Sequence, residues 1–130
     1  MEFKQAMMKN KLVFVLIGLM STFSNANSTG KLTQVEYNQL IQQYTNQVNE
    51  TKKILDEPEA HSNATMQKQA FCSRIEAYEH IAHLSKENTE LETANIMFTI
   101  AHNFLERQKQ SFIDSGMTAQ VFCAAVKKEK

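Results

Sequence analysis

Four residues, Glu76, Glu79, His80 and His83, carry the side chains a transition-metal ion prefers. They lie in the run Glu76-Ala77-Tyr78-Glu79-His80-Ile81-Ala82-His83. On a helix they fall within about 100° of arc. Imidazole nitrogens and carboxylate oxygens at spacings of three and four residues can share one zinc, nickel or copper ion. His61 or His102 could add a ligand. The pattern matches neither H-E-x-x-H nor the E-x-x-H of di-iron bundles. A solvated helix face with Glu–His pairs one turn apart is the simpler account. No cofactor is therefore assigned, and metal binding stands as an alternative reading.

Cys72 and Cys123 are the second chemically marked pair, and the chain holds no other cysteine. No C-x-x-C is present, so a redox-active pair is not expected. An even count in an oxidising compartment points to a disulfide. His102 falls near an apolar stripe, where a partly buried, bonded histidine is expected. Neither a Gly-rich phosphate loop nor G-x-S-x-G occurs. No nucleophile–base partnership is indicated, and the chain is not expected to be an enzyme.

Those residues need a scaffold, and composition indicates its class. The chain has 130 residues and a formal net charge of zero. Zero net charge supplies no basic excess for nucleic acid. Three Gly and one Pro are little punctuation, so long helices are expected.

Residues 1–26 read as a secretory signal peptide. Lys4, Lys9 and Lys11 form a basic start, with Met7 and Met8 as alternative initiators. Leu12 to Met20 is an apolar core, too short to span a bilayer. Ser24-Asn25-Ala26 supplies small residues, placing cleavage between Ala26 and Asn27. Cleavage removes three lysines and one glutamate (Glu2) from a neutral chain, leaving −2. Residues 27–130 then form a single helical domain with no membrane span.

Four helices are expected in that domain. Thr33 and Glu36 form a capping box. Tyr37, Leu40, Ile41, Tyr44, Val48 and Leu55 continue an apolar stripe until Pro58 breaks it. Ser62, Asn63 and Thr65 offer caps for a second helix reaching Glu87. Asn88 or Thr89, with Glu92, caps a third that runs to Ile113 and stops at Gly116. Its apolar residues cover one broad side, and Ile96 and Ile100 lie nearly opposite. Apolar residues on two sides make this the expected central helix, or else a helix with a docking patch at Ile96 and Ile100. Thr118 caps a short fourth helix. An up-down-up path then puts Cys123 beside Cys72.

Leu32-Thr33-Gln34-Val35-Glu36 resembles the L-T-x-x-Q element of the Spy/CpxP periplasmic chaperones, with Glu in place of Gln. The resemblance spans five residues of 130 and implies holdase-type activity. That family carries the element twice. Here Met117-Thr118-Ala119-Gln120-Val121 departs at the last position. A capping box accounts for the same residues, and the chain is not assigned to the family.

The fold expected is all-α: a small four-helix, bundle-like domain stapled by Cys72–Cys123. The function expected is that of a periplasmic or secreted, non-catalytic protein-binding module, of adaptor, inhibitor or immunity type. Its partner would be another envelope or secreted protein, and its oligomeric state is left open. Metal binding and a holdase role are the alternatives.

Overall fold

A computed structural model describes residues 31–57, 62–124 and 126. The signal peptide and the Ala26/Asn27 cleavage site lie outside the described residues. Four helices and no strand are present among those described: α1 (Gln34–Leu55), α2 (Ala64–Glu87), α3 (Ala94–Asp114) and α4 (Ala119–Ala124). No helix among them is long and apolar enough to cross a membrane.

Local chemistry sets most of the helix ends. The Thr33 hydroxyl accepts from Glu36 N at 3.3 Å, and Glu36 Oε2 accepts from Thr33 N at 2.9 Å. Both halves of the α1 capping box are thus formed. Asn63 Oδ1 accepts from Met66 N at 2.9 Å and caps α2. Gly116, at φ +69°, ends α3. Met117 N donates to the Phe112 carbonyl and Gly116 N to that of Ile113, the two bonds of a Schellman motif.

The start of α3 differs from expectation. The Thr89–Glu92 capping box does not form, and 88–93 is a turn. Asn88 is buried in it. Its Oδ1 accepts from Leu32 N, and its Nδ2 donates to the Leu84 carbonyl, both at 2.8 Å. Gln34 Oε1 accepts from Glu92 N at 2.8 Å. Residues fifty and more positions away have claimed the groups a local cap would use.

The central helix is α2, which corrects the expectation for α3. It packs along both α1 and α3, while those two scarcely meet. The two seams differ in chemistry. Against α1 the seam is tied by side-chain hydrogen bonds. Tyr37, fully buried, hydrogen-bonds through its hydroxyl to Ser85 Oγ at 2.7 Å. Gln47 donates to the Ser73 carbonyl, and Arg74 Nε donates to Thr51 Oγ1 at 2.7 Å. Arg74 also forks onto both oxygens of Asp56, the residue that closes α1. Against α3 the seam is aromatic: Tyr78 stacks on Phe104 with centroids 4.1 Å apart. Phe71, Phe112 and Phe122 then gather α2, α3 and α4 at one end. Beside them Cys72 and Cys123 are joined, Cα to Cα 5.7 Å.

Candidate interaction surfaces

Helix α2 carries Glu76, Glu79, His80 and His83 on one exposed face. They do not converge. The His80 ring lies flat against Tyr44 of α1, centroids 4.5 Å apart and planes within 13°. Among the described residues, no three His, Cys, Asp or Glu side chains are grouped as a metal ion would require. His61 lies outside the described residues. His102 is exposed rather than partly buried, and stacks on Phe98 of its own helix at 5.4 Å. An exposed imidazole can cover a neighbouring phenyl with the apolar body of its ring.

Ile96 and Ile100 lie one turn apart on α3 and are 64% and 50% exposed. Helix α1 does not cover them, because it lies across α2 from α3. An exposed isoleucine pair on one helix face is an apolar patch without a partner among the described residues. Sequence reasoning passed over a second group, Ile113, Met117 and Val121 around the α3–α4 corner, all exposed. Met117 and Val121 sit beside or in the six-residue α4, where helical periodicity has little length to register, and Ile113 lies in the last turn of α3.

A trough runs between α1, α2 and α4, with a cavity volume of about 1340 Å³. Tyr44 and Ile54 line it from α1, Ile75 from α2 and Ala119 from α4. Glu76, Glu79 and His80 belong to its lining, and His83 does not. The sequence placed these residues on one face of a helix but gave no sign that α4 would turn that face into a wall.

Three carboxylates are held below their ordinary range. Glu36 is lowered by the Thr33 backbone N–H and then by the Thr33 hydroxyl. Asp56 is lowered chiefly by hydrogen bonding from Arg74, and Glu90 by hydrogen bonding from Lys31. All three secure helix ends and turns, and none lines the trough. No protein-family model, curated protein or solved structure matches the chain.

Proposed function

We propose that this chain is an exported, non-catalytic protein-binding module that engages another envelope or secreted protein through the outer face of α3. The observation that carries this reading is the exposure of Ile96 and Ile100 on a helix that packs on α2 by its other side. Leaving two isoleucines in water forgoes burial worth about 25 cal/mol per Å² of apolar surface. A partner's apolar surface would recover it.

The test is the double substitution Ile96→Asp/Ile100→Asp. Both positions are exposed, so the fold should lose no more than about 0.5 kcal/mol at each. Asp at 96 also sits in the first turn of α3, where negative charge suits the helix dipole. Crosslinking in the envelope fraction, followed by mass spectrometry, should recover a partner with the native chain and lose it with the variant. A well-packed hot spot would weaken binding by about 2 kcal/mol or more. Undiminished capture by the variant would exclude this face. Unfolding of the variant would make the two residues core and end the argument. Export is tested separately, by a native mass that begins at Asn27.

A further inference from the structure

We propose that the trough between α1, α2 and α4 docks a cationic amphipathic helix of a partner protein. Its volume of about 1340 Å³ exceeds the roughly 300–1,000 Å³ of small-molecule pockets. The trough is half open to solvent, a shape that admits a stretch of chain laid along it. Apolar surface is available inside it from the half-buried Tyr44, Ile54 and Val126. Among the described residues its charge has one sign: Glu50, Glu76 and Glu79 line it, and no described Lys or Arg does. Glu50 is engaged by Lys53, one turn along α1, at 2.9 Å. Glu76 and Glu79 have no ion pair among the described residues. Their complement is a helix with an apolar stripe flanked by lysine or arginine, laid into the groove. Carboxylates at such a rim steer encounter and reject anionic competitors. The trough shares no residue with the outer face of α3, so each surface can fail alone.

One wall of the trough is α4, a helix of six residues. The Cys72–Cys123 bond and the Phe71–Phe122 contact fasten it to α2. Reduction of that bond should therefore weaken docking as well as stability.

The probe is a fluorescein-labelled Leu/Lys amphipathic peptide of about 18 residues, long enough for five helical turns. Binding to the full chain is read by fluorescence anisotropy. A Leu/Glu peptide of the same pattern is the control ligand. The native chain should bind the Leu/Lys peptide and not the Leu/Glu peptide. Glu76→Gln/Glu79→Gln should weaken binding about tenfold, and rising salt should weaken native binding further. Both glutamates are exposed, so the variant should melt with the native chain. Glu87→Gln/Glu106→Gln removes the same charge away from the trough and should leave affinity unchanged. Equal losses in the two variants would reduce the effect to overall charge and overturn the proposal. So would failure of the native chain to bind. Binding gained only when Lys127, Lys128 and Lys130 are all changed to Gln would assign the trough to the chain's own tail, and would also overturn it.

Discussion

Asn88→Ala should be among the most damaging single changes outside the apolar core. Asn88 is 1% exposed. Its two hydrogen bonds, each 2.8 Å, join the strand of chain before α1 to the last turn of α2. Alanine removes both. Each bond contributes about 1 kcal/mol net, and a buried group left without a partner costs about 1–3 kcal/mol. The sum is about 2–4 kcal/mol, since the Leu32 N–H can regain water when its segment loosens. Total stability for a domain of this size is about 5–15 kcal/mol, so the loss is large. Urea unfolding followed by circular dichroism should show a lower midpoint at unchanged slope. Amide exchange should accelerate first at Leu32 and Thr33. A loss below about 1 kcal/mol would refute the assignment of Asn88 as the tie between these elements.

Asn88→Asp sharpens the test, because the shape is kept and only one function is lost. An aspartate oxygen still accepts from Leu32 N. The other oxygen faces the Leu84 carbonyl, where an amide donor used to be. Protonation restores a donor, and burial favours the neutral acid, so the folded-state pKa rises above the unfolded value of about 3.9. The added stability is then full below that unfolded value and is lost as pH climbs through the folded one. The variant should approach the native chain in acid and fall behind it at neutral pH. Parallel stability profiles from about pH 4 to 7 would show that the Leu84 carbonyl does not need that donor.

Three further outcomes follow from the same geometry. Reducing Cys72–Cys123, which closes a separation of 51 residues, should cost about 4 kcal/mol on chain-entropy grounds. Urea midpoints with and without reductant measure this, and coincident curves would contradict it. Thr93 has φ 65° and no side-chain capping bond, a costly conformation for a β-branched residue. Thr93→Gly should raise stability by about 0.5–1 kcal/mol, and a lower melting temperature would mean that its side chain contributes elsewhere. Glu36, Asp56 and Glu90 all have lowered pKa values. The unfolded chain therefore binds more protons in acid, so their contribution is present above the ordinary carboxylate values of 4.5 and 3.8 and is lost as pH falls through the folded ones. Urea midpoints should decline below about pH 4.5, and a midpoint rising in acid would contradict the assignment.

Legibility in the sequence tracked the range of the interaction. Thr33 and Glu36 announced their capping box because both partners lie within one turn. Thr89 and Glu92 carried the same signal and formed nothing. Asn88 is spent on Leu32 and Leu84, and the Glu92 amide on Gln34, 58 residues earlier. No local pattern encodes that competition. Cys72 and Cys123 were legible because helical rise fixes their heights once the path alternates. Ile96 and Ile100 were legible as off-stripe residues, although only the tertiary arrangement could show α1 turned away from them. The trough was not legible, because it exists only where α4 comes to rest.

The misplaced central helix has a physical reason. Apolar side chains on two sides of α3 looked like burial between neighbours. A helix packed on two sides needs close approach, and small side chains permit it. The better signal was in α2, where Ala70, Ala77 and Ser85 are buried and Ser73 meets Gln47. With α2 in the middle, α1 and α3 each spend one face on it and keep the other in solvent. Polar residues fill the outer face of α1 almost throughout, with Val35 the large exposed exception. On α3 the outer face keeps Ile96 and Ile100. The two outer helices meet the same solvent and stand in the same relation to α2, so packing demand does not account for the difference. The residual apolar surface on α3 is what a binding role would retain, which is why the double aspartate variant is the decisive substitution for function.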